Sequence, residues 1–252
     1  MTLDLNSYLA VLASEAKELA AAAEEAGLDA PVPTCPGWTV NDLVLHVGEV
    51  HRWATAAVAS KATKLGEVPA DSLGALPERD DTIDWFCNGA IALRDTLAEA
   101  DPSVEYAAFL MDPPTPRILF WARRQTLETS VHRVDAESAL GRCTPMSPEI
   151  ALDGIDEFLT GFIPRSRTPL RADKPHCMQI APTYTDQRWT VSISNDMPET
   201  VRRATDADCI VSGSASDIYL ALWNRASVDK LDIEGDRTAI DLLRDNVQIR
   251  WG

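Results

Sequence analysis

The chain has 252 residues, with 39 acidic against 23 basic side chains and a net charge of −16. Apolar residues make up 45 % and charged residues 25 %, which is ordinary for a globular protein with a substantial core. The acidic balance argues against nucleic acid and anionic membranes as partners, because both are bound through lysine and arginine. No stretch approaches the roughly 18 apolar residues of a membrane span, and residues 1–5 do not resemble a signal peptide.

The cysteines are scattered, odd in number and without a Cys-x-x-Cys pair. They are Cys35, Cys87, Cys143, Cys177 and Cys209. This pattern favours reduced thiols over a disulfide framework and predicts a cytoplasmic protein.

The first half of the chain reads as four long helices. Apolar residues at Leu9, Leu12, Ala16 and Leu19 follow the three-four spacing of an amphipathic helix. Further along, Thr39 and Asp42 resemble a capping box at the start of the second helix. The predicted helices cover 5–26, 40–60, 81–100 and 118–140. Four long helices joined by loops indicate a helix bundle.

The second half changes character after a linker at 142–148 that holds Cys, Thr, Ser and two prolines. Short β-branched runs predict strands, and amphipathic stretches predict helices between and after them. The predicted strands are 177–180, 189–193, 209–211 and 230–233, and the predicted helices are 148–159, 213–225 and 236–246. The fold class is therefore α+β, with a bundle over 1–142 and a smaller α+β domain over 148–252.

Four histidines are candidates for chemistry, and two of them share the second helix. His46 and His51 are five residues apart, which separates them by about 140° around a helix, so they cannot both point at one site. In the fourth helix, Glu128 and His132 are one turn apart and share a face. The simplest interpretation of that pair is a surface contact, and the alternative is that the two side chains converge on one metal ion.

Adding a histidine from the second helix gives the ligand set of a catalytic zinc site, two imidazoles and a carboxylate with a fourth position open. The spacing alone does not choose between His46 and His51. His46 shares a face with Leu43 and Val50 and points toward a packed side, so it could equally be a core histidine bonded to a backbone carbonyl.

Three motifs resemble one family. Residues 36–47, PGWTVNDLVLHV, resemble the metal-site helix of the mycothiol-dependent maleylpyruvate isomerase family, within the DinB-like helix bundles. Residues 123–135, RRQTLETSVHRVD, are similar to its second metal motif. The segments 213–225 and 233–236 are similar to its C-terminal domain, which is related to sterol carrier folds. The resemblance implies a DinB-like four-helix bundle whose metal ligands are His46, Glu128 and His132.

The resemblance also implies an activity. The cofactors would be zinc, or another divalent metal, and the thiol mycothiol as cosubstrate. A metal-activated thiol would attack a small electrophilic substrate, either transferring its sulfur or isomerising a cis double bond to trans by addition, rotation and elimination. Hydrolysis by a metal-bound hydroxide is a third outcome. The alternative is a non-catalytic small-ligand-binding or regulatory protein with a structural metal.

The remaining candidates have supporting roles. The resemblance implies that Arg225 is catalytic and binds the thiol cofactor or an anionic substrate, whereas without it Arg225 could simply cap its own helix. Asp135 could orient the ring of His132 or be a solvated acid. Cys35 is not expected to be a nucleophile, because no base is predicted beside it. His51 and His176 are expected to be structural or surface residues, and Trp38 and Trp53 packing residues.

Overall fold

The computed structural model describes residues 3–247. Within them the chain forms seven α-helices and five strands. None of these helices carries an apolar stretch of the length that a membrane span requires. The helices are α1 (Leu5–Ala26), α2 (Val40–Ala59), α3 (Thr82–Glu99), α4 (Ile118–Ser138), α5 (Pro148–Glu157), α6 (Ala215–Leu222) and α7 (Thr238–Asn246). The strands are β1 (His176–Pro182), β2 (Trp189–Ile193), β3 (Glu199–Val201), β4 (Cys209–Gly213) and β5 (Asp232–Gly235).

The first two helices begin at the residues predicted from the sequence, and each begins with a side-chain cap. The Asp4 side chain accepts a hydrogen bond from the Ser7 amide at the start of α1. At α2 the capping box is confirmed, since the Asp42 amide donates to Thr39 Oγ1 and the Thr39 amide donates to Asp42 Oδ2. Each cap satisfies backbone N–H groups that have no partner inside the helix.

The described residues divide into two compact units. One holds residues 3–109 and 113–144, and the other holds 110–112 and 145–247. The first unit is the predicted four-helix bundle, formed by α1, α2, α3 and α4. Its core includes a cluster of buried apolar side chains from α1, α2 and α3, among them Leu19, Leu43, Val44, Val47 and Phe86.

Helix α4 is buried along almost its whole length, although it carries many polar and charged side chains. Arg124, Glu128 and Asp135 are each at most 3 % exposed. Burying a charge is costly unless it is paired, and these side chains pair with one another and with neighbouring residues. The buried surface of α4 is therefore not an apolar stripe, because it includes paired polar side chains.

The second unit contains one five-stranded sheet in the order β3-β2-β1-β4-β5. Only β1 and β4 run parallel, and the other neighbouring pairs are antiparallel. Helices α5 and α6 pack closely because Gly154 lies against the ring of Tyr219, where an added Cβ would stand 2.4 Å from a ring carbon. Asp156 of α5 accepts from Trp189 Nε1 at 2.8 Å and from Arg202, which joins α5 to the sheet.

Several boundaries differ from the sequence-based expectation. The three-residue strand β3 was not predicted, because its residues do not form a β-branched run of the usual length. Helix α6 ends at Leu222, before Arg225, and Asn224 then takes a positive φ of 59°. Lys230 belongs to a 3₁₀ turn (Val228–Lys230), so the last strand begins at Asp232. Helix ends and short strands depend on tertiary contacts more than on local pattern.

Candidate metal centre

Helices α2 and α4 bring His46, Glu128 and His132 together. One ligand atom from each side chain lies within 4.8 Å of the others. Glu128 Oε1 is 3.2 Å from Nε2 of His132 and 3.8 Å from Nε2 of His46. One carboxylate oxygen therefore faces two imidazole nitrogens. The interpretation of Glu128 and His132 as a surface pair is wrong, since they are 3 % and 6 % exposed.

The ring of His46 is held in place but its Nε2 is not satisfied. Trp38 packs edge-on against it with ring centroids 5.0 Å apart, and His132 lies on another side at 5.2 Å. Nε2 is buried and accepts or donates no hydrogen bond among the described residues. A buried polar atom without a partner is costly, and a metal ion would satisfy this one. The donor set of two imidazoles and one carboxylate fits zinc.

Asp135 lies behind His132 and orients its ring. His132 Nδ1 and Asp135 Oδ2 are 2.8 Å apart, and Asp135 is fully buried. The orienting role is confirmed and the alternative of a solvated acid is wrong. The other oxygen of Asp135 accepts from Thr34 Oγ1, in the connector before α2. Because Nδ1 of this ring donates a hydrogen bond to Asp135, only Nε2 is left to bind a metal.

Arg124 occupies the second oxygen of Glu128. Its Nη2 donates to Glu128 Oε2 at 2.8 Å, and Arg124 is 1 % exposed. The Arg-x-x-x-Glu spacing in the sequence is compatible with this pair, although the sequence pattern alone marks neither Arg124 nor Thr34 as a site residue. Oε2 of Glu128 therefore contacts the Arg124 guanidinium, while Oε1 faces the two imidazoles.

The charges of the cluster are mutually stabilising. Burial by itself raises the pKa of Glu128, but contacts with His132 and His46 and the charge of Arg124 outweigh it, so that this pKa lies well below its ordinary value. Burial lowers the pKa of His132, whereas Asp135 and Glu128 together raise it to about 9. Near neutral pH Glu128 is therefore a carboxylate, the form that binds metals, whereas His132 is protonated, so that a metal would have to displace the proton on its Nε2.

His51 is a structural residue, as expected. It is fully buried, stacks on Phe86, and its Nε2 is 2.9 Å from Thr129 Oγ1. Since the Thr129 hydroxyl donates to the Gln125 carbonyl, it accepts from His51 Nε2. Burial lowers the pKa of His51 to about 3. His46, not His51, therefore lies with Glu128 and His132.

The other candidates occupy separate positions. Arg225 follows α6 in the second unit, where its Nη1 donates to the Trp223 carbonyl at 2.9 Å, so it caps its own helix at least in part. Cys35 is half-buried, and its sulfur lies within 4.8 Å of ligand atoms of His132 and Asp135. The expectation that no base lies beside Cys35 is therefore wrong, since an imidazole and a carboxylate are both close to it. His176 begins β1 and is half-buried.

Comparisons with known proteins bear on both halves of the chain. Residues 9–137 match the family described as the mycothiol maleylpyruvate isomerase N-terminal domain, and residues 149–242 match the MDMPI C-terminal domain. No curated protein sequence matches the chain.

Two solved structures share its fold. The crystal structure of a mycothiol-dependent maleylpyruvate isomerase aligns with a TM-score of 0.62 and 15 % identity, over 93 % of this chain and 95 % of that one. A histidine-to-alanine mutant of a mycothiol-dependent maleylpyruvate isomerase aligns with the same score and coverage at 14 % identity. The α+β architecture agrees with these structures along almost the whole chain, and with the N-terminal match covering more than half of its length, the chain belongs to the mycothiol maleylpyruvate isomerase family.

Proposed function

We propose that this protein is a metal-dependent enzyme that uses mycothiol to isomerise, or to transfer sulfur to, a small electrophilic substrate. Its relatives are named as maleylpyruvate isomerases, so maleylpyruvate is the first substrate to test. His46, Glu128 and His132 would hold one divalent ion, zinc in the first place. The observation that carries the proposal is the buried Nε2 of His46, which lacks a hydrogen-bond partner beside a carboxylate oxygen.

A divalent ion held there would lower the pKa of a bound thiol, so that the attacking sulfur becomes a thiolate near neutral pH. The chain's own residues prepare the site for that role. Asp135 keeps the His132 ring turned so that Nε2 faces Glu128, and Trp38 holds the ring of His46 from its other side. Because Glu128 and His132 are buried, water has little access to them.

Arg225 enters the proposal as the residue that binds an anionic group of the substrate or of the thiol. A planar guanidinium donates two parallel hydrogen bonds to a carboxylate, which an ammonium does not.

The proposal is tested with zinc-loaded protein, mycothiol and a panel of electrophiles that includes maleylpyruvate, each reaction followed by mass spectrometry. An isomerase returns the thiol unchanged and yields a product of the same mass as the substrate. A transferase consumes the thiol and yields a thioether whose mass is the sum of the two reactants. Protein without zinc, and the His46→Ala variant, are the controls and should be inactive.

Two results would contradict the proposal. Turnover at the wild-type rate by chelator-treated protein would exclude a metal role. Zinc binding with no reaction across the panel would favour the alternative, a ligand-binding protein in which the same three residues hold a structural metal.

A further inference from the structure

We infer that Arg124 is a positioning residue that leaves Glu128 only one oxygen for the metal and thereby sets which divalent ion the centre prefers. This inference rests on the proposed function, since it takes His46, Glu128 and His132 as the ligands. It assigns a role to a residue outside that ligand set.

The contact between Arg124 and Glu128 is buried and short. The two residues are one helical turn apart on α4, and Nη2 donates to Oε2 at 2.8 Å. Their side chains are 1 % and 4 % exposed. A charge-assisted hydrogen bond shielded from water is stronger than one between neutral groups, so turning Oε2 toward a metal would require breaking it.

The remaining oxygen already faces the imidazoles. Oε1 is the atom that lies 3.2 Å from His132 Nε2 and 3.8 Å from His46 Nε2. The two oxygens of Glu128 are therefore assigned to opposite partners, and the carboxylate can supply one ligand atom without rearrangement.

A ligand set of one oxygen and two nitrogens suits zinc, which commonly has four ligands and binds imidazole well. Manganese and other hard cations prefer more oxygen ligands. Releasing Oε2 would offer the centre a second oxygen, and removing the guanidinium would leave the charge of Glu128 unshared. Both changes favour the harder ion, so Arg124 biases the centre toward zinc.

The same helix supplies a matched control. Arg133 Nη1 donates to Glu137 at 2.8 Å, also one turn apart, and Arg133 is 3 % exposed. This second pair is as short as the first and nearly as buried, with side chains 4 % and 10 % exposed, but its carboxylate is not among the three proposed ligands. A general effect of breaking a buried pair on α4 should appear in Arg133→Gln as well.

The experiment measures the dissociation constants of zinc and manganese for the wild type, Arg124→Gln, Arg124→Lys and Arg133→Gln. Zinc is titrated against a chromophoric chelator, manganese is followed by the electron paramagnetic resonance of the free ion, and melting curves report folding. In Arg124→Gln the preference for zinc over manganese should fall about tenfold, the scale on which residues behind metal ligands act. Arg124→Lys keeps the positive charge but loses the planar guanidinium, so the preference for zinc over manganese should fall a few-fold in this variant. Arg133→Gln should keep the wild-type preference.

An unchanged preference in folded Arg124→Gln, or an equal change in Arg133→Gln, would overturn the inference. If Arg124→Gln does not fold, Arg124→Lys decides by the same criterion. Failure of the wild type to bind either ion would instead overturn the proposed function, because that result does not involve Arg124.

Discussion

Thr34 and Asp135 are joined by a hydrogen bond although they are 101 positions apart in the chain. Thr34 lies in the connector before α2, and Asp135 lies on α4 beside the ring of His132. The bond therefore fastens the segment leading into the helix of His46 to the helix that carries the other two proposed ligands. The connector thereby supports the orientation of a side chain in the centre.

Replacing Asp135 with Asn should weaken metal binding without abolishing it. The neutral amide is a poorer acceptor for His132 Nδ1–H, so the ring is less firmly turned and less basic. Loss of such a partner commonly costs about 10–100-fold in metal affinity, which a chelator competition would measure. Thr34→Val should have the same effect to a smaller degree. Wild-type affinity in folded Asp135→Asn would contradict the orienting role.

Protein purified without chelator should carry about one divalent ion per chain, with zinc the first expectation. His46→Ala and His132→Ala should each lose it, since two remaining ligands hold an ion poorly. Elemental analysis of the dialysed proteins measures the content. His176→Ala, which alters a half-buried histidine of the second unit, is the control. Retention of metal by both folded ligand variants would mean that the site lies elsewhere.

Cys35→Ser should keep turnover within a few-fold of wild type, even though the thiol lies near His132 and Asp135. The proposed attacking sulfur belongs to mycothiol, and serine keeps the shape of the side chain with a smaller oxygen in place of the sulfur. The rate with saturating thiol is the measurement, and Cys87→Ser, at another half-buried cysteine, is the matched control. Complete loss of rate in folded Cys35→Ser alone would move the nucleophile onto the chain.

As the pH decreases, the free energy of unfolding should fall more steeply for the wild type than for His51→Gln, which has no titrating residue at position 51. Burial lowers the pKa of His51 to about 3, against 6.5 in the unfolded chain. Between about pH 3 and pH 6.5, His51 is therefore protonated in the unfolded state but not in the folded state. The difference in slope between wild type and His51→Gln should approach about 1.4 kcal/mol per pH unit toward pH 4.

Denaturant unfolding of both proteins at several pH values checks this expectation. Above pH 7 the two curves should run parallel, since His51 is neutral in both states. Parallel curves throughout the acid range would show that His51 binds its proton equally well in the folded and unfolded protein, which a buried ring beside Thr129 could not do.

Arg225→Lys should damage activity on an anionic substrate while leaving metal content and melting temperature near wild type. Lysine keeps the charge but loses the planar fork. Losing one charge-assisted contact costs about 1.5–3 kcal/mol, roughly a ten- to hundredfold change in kcat/KM. Arg237→Lys, at an exposed arginine of the same unit paired with Asp241, is the control. Unchanged kinetics would show that Arg225 does not bind the substrate or the thiol.

The sequence by itself determined the helices, the change to α+β structure, the capping box and the Glu-x-x-x-His step. These are local features: caps and periodicity depend on residues within one or two turns. The motifs around Trp38 and His132 also indicated the family, because each places potential metal ligands at a fixed spacing along a single helix.

The family resemblance favoured His46 over His51, but only the tertiary structure shows which histidine of α2 faces Glu128, because spacing within one helix says nothing about where another helix packs against it. The same limit hid Thr34, which contacts a residue 101 positions away, and the proximity of Cys35 to His132. It also hid the burial of α4, whose charged residues look solvent-exposed in a pattern and are in fact paired inside the bundle. Partners for buried charges come from packing, and packing joins residues that the chain keeps far apart.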